Sequence, residues 1–251
     1  NGEGIFVVGG SRDVADLSWA CIDAANAALE VHKFLGDGTK LAPEAKAVVD
    51  KEKCCFCLTC YRCCPHGAIS WDDKPAISPI ACQACGICAS ECPQDAIQIM
   101  AFEDQDITAQ LDQSLSASSQ APDIVAFCCE NSSLEALKMA KLFSLDLPAG
   151  LKTVHVPCAG KVDQDYLFSA FLKGADAVLV LSCHPGNCKS VRGNTFAGWR
   201  VENVQRMLKN AGMDPQRLRC ESLASNMGHE MATILSDLER QLKELGPSPL
   251  K

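Results

Sequence analysis

The chain has 251 residues, 47% of them hydrophobic and 22% charged, with a formal net charge of −8 at pH 7. This composition can fill two or three small cores and excludes a long disordered chain. The acidic balance excludes nucleic acid or an anionic membrane as the main partner.

Cysteine is out of proportion, with 17 residues. An odd count leaves one thiol over in any all-disulfide scheme, and Asn1–Gly4 is no charged start to a secretory signal. The longest apolar runs, such as Ala177–Leu181, are too short to span a bilayer. Metal ligation in a reducing cytoplasm, without direct membrane insertion, is therefore expected. A start at Asn1 rather than methionine suggests a fragment or a processed chain.

Gly4–Gly10 reads as a short buried strand ending in glycines, and Asp16–Leu35 as a helix with apolar residues at Leu17, Ile22, Leu29 and Val31. A glycine turn between strand and helix can offer amides to a phosphate, although a purely structural turn serves the same sequence. Ala47–Asp50 follows as a short strand, and Glu103–Asp123, rich in Ser, Gln and Asp, reads as a linker with a short helix at 107–115 as the alternative. From Ile124 onward, strands at Ile124–Cys129, Thr153–Cys158, Ala177–Cys183 and Arg217–Leu223 alternate with helices. The helices fall at Ser133–Phe143, Gln164–Leu172, Val201–Ala211 and Asn226–Leu245. Four strand–helix alternations predict a parallel sheet with helices on both faces.

Between these regions lies an internal repeat. Cys54-x2-Cys57-x2-Cys60-x3-Cys64-Pro65 recurs 28 positions later as Cys82-x2-Cys85-x2-Cys88-x3-Cys92-Pro93, and the match extends to Ala68-Ile69 and Ala96-Ile97. Three cysteines at three-residue intervals wrap one cubane while the fourth, before proline, reaches the other cluster. One [4Fe–4S] cluster is thus expected on Cys54, Cys57, Cys60 and Cys92, and a second on Cys82, Cys85, Cys88 and Cys64. Zinc also accepts Cys-x2-Cys but needs neither four cysteines per run nor the proline. Cys55 and Cys63 lie outside the spacing and are expected as packed residues. His66, beside Pro65, is expected in a loop, solvated or locally hydrogen-bonded. The stretch resembles bacterial-type two-cluster ferredoxins.

Cysteines also end three successive C-terminal strands: Cys128-Cys129, Cys158 and Cys183, the last followed by His184-Pro-Gly-Asn-Cys188. Strand carboxyl ends of an open parallel sheet line one edge, where ligands bind, and gathered thiolates suit an iron–sulfur site. Cys129, Cys158, Cys183 and Cys188 are the candidate [2Fe–2S] ligands. The alternative is filler, since cysteine is often buried; Cys21 and Cys220 are read that way. His155 and His184 are expected in structural or supporting roles.

Residues 121–247 resemble the delta subunit of methyl-viologen-reducing hydrogenase, through Cys158-Ala-Gly-Lys-Val-Asp163, Lys173–Cys188, Gly193-Asn194 and Gly246-Pro247. The resemblance implies a [2Fe–2S] cluster passing electrons from a hydrogenase to a heterodisulfide reductase complex. Family members commonly carry Cys-x2-Cys after the first strand, whereas this chain has Cys129-Glu-Asn-Ser132.

Gly4–Gly10 with its helix resembles the closing FAD-contacting segment of the A subunit of heterodisulfide reductase. The domain order is similar to the B subunit of the quinone-interacting membrane-bound oxidoreductase. By this resemblance Gly9 and Gly10 are the FAD candidates, with FAD held only together with a further N-terminal region or a partner.

The expected architecture is multidomain, α/β and α+β. A flavoprotein-like end and connector occupies 1–46, a small two-[4Fe–4S] ferredoxin-like domain 47–102, a linker 103–122 and a four-stranded parallel α/β domain 123–251. The expected function is an electron-transfer module between a flavin-containing region and redox subunits: hydrogenase, heterodisulfide reductase-like or quinone-linked membrane subunits. Its place is the cytoplasm, reaching the inner membrane face only through partners. No independent catalytic site is evident. The alternatives are a C-terminal domain without a cluster, acting as a docking platform, and a flavin-dependent oxidoreductase using Gly9–Gly10.

Overall fold

The computed structural model describes residues 6–11, 16–36, 44–115 and 121–251. The chain divides into two compact units, Asn1–Pro43 and Glu44–Lys251.

In the first unit, Asp16 caps helix α1 (Leu17–Leu35) by accepting the Trp19 N–H at 2.8 Å. The helix ends at Gly36, whose φ of 53° is tolerated without a side chain. The expected strand does not form: Phe6–Val8 is irregular and Gly9–Ser11 is a turn of 3-10 helix. A strand needs a ladder partner, and none pairs with it among the described residues. Gly4 and Ile5 lie outside them. Cys21, expected to pack, is exposed on α1.

The second unit opens with strand β1 (Ala47–Val49), helix α2 (Thr59–Cys63), strands β2 (Ile69–Trp71) and β3 (Pro75–Ile77), helix α3 (Ile87–Ser90) and strand β4 (Ile97–Ile99). β1 pairs antiparallel with β4, Val48 opposite Gln98, and β2 with β3, Ser70 opposite Ala76. Two small hairpin-like sheets thus frame two short helices, each helix holding one end of the cysteine repeat.

Helix α4 (Asp104–Leu115) occupies most of the stretch expected as a linker. Ile107 and Leu111, four apart on one face, are fully buried in the core of the following region, worth roughly 1.5–3 kcal/mol each by area. The remainder of α4 is polar, which is why the segment looks like a solvated connection in sequence.

There follow β5 (Ile124–Cys129), α5 (Ser133–Leu142), β6 (Leu151–Val156), α6 (Gln164–Leu172), β7 (Ala177–Ser182), α7 (Gly193–Asn210), β8 (Leu218–Ser222) and α8 (Gly228–Leu245). The sheet order is β6-β5-β7-β8, all parallel. β5 and β7 are buried along their whole length, as the central strands of a two-sided parallel sheet must be. Alternation sends Val125, Phe127 and Cys129 to the face covered by α4, α6 and α7. Ile124, Ala126 and Cys128 go to the face covered by α5 and α8. The neighbouring cysteines 128 and 129 therefore serve opposite faces.

Two buried cations join the cysteine-rich lobe to this sheet. Arg200 on α7 donates to Glu91 Oε1 from Nε at 3.0 Å and Nη2 at 2.7 Å, and its Nη1 reaches the carbonyls of Gly160 and Val162. Lys161, 1% exposed, donates to Asp104 at 2.5 Å and to the Tyr166 hydroxyl at 2.7 Å. Every donor of this kind buried without an acceptor would cost free energy, so the pairs fix the two lobes against each other. No helix among the described residues is long and apolar enough to cross a membrane.

Candidate metal centres

The cysteine repeat carries its offset of 28 into the backbone. Phe56 and Ala84 both have positive φ, 57° and 54°, as do Leu58 and Gly86, at 58° and 80°, and Gly67 and Asp95, at 59° and 47°. Left-handed residues at these points turn peptide N–H groups toward sulfur. Phe56 N donates to Cys54 Sγ and Ala84 N to Cys82 Sγ, both at 3.4 Å. Ala68 N donates to Cys64 Sγ at 3.4 Å and Ala96 N to Cys92 Sγ at 3.3 Å. Amide-to-sulfur bonds of this sort stabilise anionic thiolate ligands.

The four cysteines expected on the first cluster line one cavity, Cys92 arriving from beyond α3. The four expected on the second line another, with Cys64 arriving from the end of α2. The exchange of the fourth cysteine between copies is thus present in the fold. All the donors are soft sulfur and four cysteines converge on each cavity, so the donor set fits a cubane in each. Among the described residues, no three or more His, Cys, Asp or Glu side chains converge as one ion needs.

The two sites differ in exposure. At the outer site, Cys57 is exposed and Cys54 and Cys92 are half-buried; at the inner site, Cys82, Cys85 and Cys88 are all buried. The Thr59 hydroxyl, 3.4 Å from Cys57 Sγ, lowers the pKa of Cys57, while burial pushes Cys85 and Cys88 up. Ligation must overcome that preference for neutral thiols by expelling the proton. Cys63 is buried beside the ligands, its thiol bonded to the Cys60 carbonyl, and burial raises it to about 12. Cys55 departs from expectation: it is exposed, yet stands in the wall of the outer cavity.

The third group forms at the carboxyl ends of β6, β5 and β7, beside the β5/β7 boundary where the connections of an open parallel sheet reverse and ligands bind. Cys129 ends β5, and Cys158 and Cys183 follow β6 and β7. Cys129 Sγ and Cys183 Sγ are 3.9 Å apart, against about 3.8 Å for two sulfurs on a tetrahedral metal with bonds near 2.3 Å. Thiol hydrogen bonds from Cys158 and Cys183 hold both Cys129 and Cys188 low and leave the two donors high. The four sulfurs thus meet at one place, Cys158 and Cys188 both lying against Gly193. The peptide N–H groups of Asn131 on Cys129, and of Ser190 and Asn194 on Cys188, add to the effect.

Gly193, the first residue of α7, lies against this set: a Cβ there would stand 2.3 Å from Cys158 Sγ. The absent methyl leaves room at the sulfurs, and the N-terminus of α7 favours negative charge beside it. Ser132, standing where the family pattern has cysteine, is 3% exposed, with Oγ 3.4 Å from Cys183 Sγ. Cys128 points to the other face and is raised to about 12 by burial. His184 contacts Met227 Sδ at 3.2 Å, and the His155 N–H donates to Gln110. Cys220 is half-buried against the core.

The inner and strand-end sites are neighbours. Cys158 belongs to the same apolar cluster as Cys82, Cys85 and Cys88, and Cys188 packs on it. Gly160 allows this approach, since a Cβ would stand 2.6 Å from Ile87 Cγ1. His66 differs from expectation: it lines the inner cavity, with Nε2 buried and without a hydrogen-bond partner among the described residues. At Gly9 the N–H is bonded to Asp23 Oδ2 at 2.9 Å, so this amide is not free for a flavin pyrophosphate and an anion stands beside it.

Sequence reasoning overlooked Gly193, Lys161 and Arg200 as positioning residues. Gly193 and Lys161 fall in stretches that carry the family resemblance, but nothing in their local pattern marks them as positioning residues. Arg200 reads as one face of an amphipathic helix.

A family model for the methyl-viologen-reducing hydrogenase delta subunit matches residues 124–246, and one for a 4Fe-4S binding domain matches residues 75–98. The chain is 30% identical over 245 residues to the A subunit of ferredoxin:CoB-CoM heterodisulfide reductase from Methanosarcina mazei, covering 97% of this chain and 31% of that protein. It is 32% identical over 126 residues to the D iron-sulfur subunit of F420-non-reducing hydrogenase from Archaeoglobus profundus, covering 50% of this chain and 92% of that one. A similar match, 32% over 130 residues, is to the corresponding vhu iron-sulfur protein of Methanocaldococcus jannaschii, covering 52% and 97%. The chain thus spans about a third of the heterodisulfide reductase relative and nearly the whole of the hydrogenase relatives.

Proposed function

The chain belongs to the methyl-viologen-reducing hydrogenase delta-subunit family, and from that premise we propose that it relays single electrons between partner redox subunits through three iron–sulfur groups. It is an iron–sulfur electron-transfer module carrying a 4Fe-4S binding domain. In the proposed reading, Cys54, Cys57, Cys60 and Cys92 hold one [4Fe–4S] cluster, and Cys64, Cys82, Cys85 and Cys88 a second. Cys129, Cys158, Cys183 and Cys188 hold a [2Fe–2S] cluster. The single observation that carries the third site is the meeting of four cysteines at the strand ends, with Cys129 and Cys183 Sγ 3.9 Å apart and Cys158 and Cys188 Sγ both against the Cα of Gly193.

The clusters supply the one-electron chemistry; the chain's residues position them, exclude water and set their electrostatics. Arg200 and Lys161 hold the inner and strand-end sites in one rigid frame. The partners are subunits of a heterodisulfide reductase-like or hydrogenase complex, met through a basic face that complements the acidic chain. Any FAD is supplied by a further region or a partner, because the Gly9 amide is already engaged. The domain limits 47–102 and 123–251 follow the cysteine repeat and the parallel sheet, with α4 assigned to the latter.

Ser132 in place of a cysteine favours a second reading, in which the C-terminal region is a docking platform without a cluster. Cys158→Ser decides between them. Loss of two irons and of a [2Fe–2S] EPR signal supports the relay; unchanged iron and spectra with intact assembly of the complex supports the platform.

A further inference from the structure

His66 occupies a position that nothing above uses. Its ring forms part of the inner cavity wall with Cys64, Cys82, Cys85 and Cys88. Nε2 is buried and finds no hydrogen-bond partner among the described residues. A buried ring nitrogen left unpaired is uncommon enough to require an explanation, and a group held in the adjoining cavity is one. What that cavity is shaped to hold offers only acceptors: cysteinate sulfurs and, with a cluster, sulfides. Nε2 can be satisfied there only as a donor.

The repeat provides a comparison. The counterpart of His66, 28 positions on, is Gln94, which is exposed and outside the wall of the outer cavity. Gly67, with φ of 59°, and Asp95, at 47°, show that the backbone turn is shared, so the side chain makes the difference.

We propose that His66 donates a hydrogen bond from Nε2 to a sulfur of the inner cluster, and thereby raises the reduction potential of that cluster relative to the outer one. The inference rests on the proposed reading that a cluster occupies Cys64, Cys82, Cys85 and Cys88. Reduction adds negative charge to the sulfurs, so a donor aimed at them binds the reduced state more strongly.

The test is an EPR-monitored redox titration of the full chain, purified without oxygen, as wild type, His66→Leu and His66→Gln, with iron and sulfide counted in each sample. The inner-cluster signal is the one lost in Cys85→Ser. His66→Leu is expected to lower its midpoint by about 59 mV, a tenfold shift in a one-electron equilibrium, and to leave the outer cluster unchanged. His66→Gln, which places an amide donor near the Nε2 position, is expected to restore most of it. An unchanged midpoint in His66→Leu at full iron content overturns the inference while the cluster assignment stands. Equal iron in wild type and Cys85→Ser overturns both. Should His66→Leu fail to retain the cluster, electron–nuclear double resonance on wild type with 15N-histidine decides. An exchangeable proton and a histidine nitrogen coupled to the reduced inner cluster support the bond, and their absence overturns it.

Discussion

The two copies of the cysteine repeat share spacing, left-handed turns and amide-to-sulfur bonds, yet one copy faces solvent and the other does not. Cys57 is exposed where its counterpart Cys85 is buried. The Thr59 hydroxyl lowers Cys57, whereas Ile87, the counterpart of Thr59, is fully buried against the Gly160 turn. The repeat therefore specifies the geometry of the cysteines, and the lobe packed beside it specifies the environment. Two sites written with the same spacing become unequal because only one lies against the parallel sheet.

Breaking the contact that creates this inequality has the largest expected effect. Arg200→Met removes the Glu91 pair and the donors to Gly160 and Val162, leaving Glu91 and two carbonyls without their cation. Loss of one partner of such a pair costs about 3–5 kcal/mol. Denaturant unfolding of the cluster-bearing chain should show a loss of that size, and equal midpoints for Arg200→Met and wild type would count against the clamp.

Gly193→Ala sharpens the comparison from the other side. A methyl 2.3 Å from Cys158 Sγ must displace the sulfur or the start of α7. We expect two irons fewer per chain, with both cubane signals intact. Full iron in this variant would show that Gly193 does not shape the strand-end site.

Exposure predicts an order of loss. During anaerobic treatment with an iron chelator, the outer site should release iron before the inner one, followed by EPR of each reduced cluster. Simultaneous loss would mean that solvent access at Cys57 does not govern lability.

The smallest effect compares Leu58 with Gly86. Both have left-handed backbone, which costs a side-chain-bearing residue about 1–2 kcal/mol. Leu58→Gly should therefore stabilise by about 1 kcal/mol or less, after the added freedom of the unfolded chain. Gly86→Ala should destabilise by more than that strain alone, because its Cβ would stand 2.6 Å from Lys161 Cβ. Thermal unfolding of the two variants reads the difference in sign.

Much of this fold is legible in sequence because its signals are local. The cysteine repeat announces that its fourth cysteine crosses to the other copy's cavity, and the runs Ile124–Cys129 and Ala177–Leu181 are apolar throughout, as central parallel strands require. The misses involve tertiary partners. Phe6–Val8 has a strand's composition but no ladder among the described residues. Helix α4 hides two core residues, Ile107 and Leu111, in a polar segment. Helix α7 begins at Gly193 rather than Val201 because glycine, which reads as a break, is required by a sulfur far away in sequence. His66 reads as solvated or locally hydrogen-bonded because nothing in its neighbours tells that its ring lines a cysteine cavity.

The most direct test of the central claim, three iron–sulfur groups in one short chain, is iron and acid-labile sulfide per chain on protein purified without oxygen. About ten of each, with a [2Fe–2S] signal beside two cubane signals on reduction, is the predicted result. About eight of each would contradict the strand-end cluster, and zinc without labile sulfide would contradict the account as a whole.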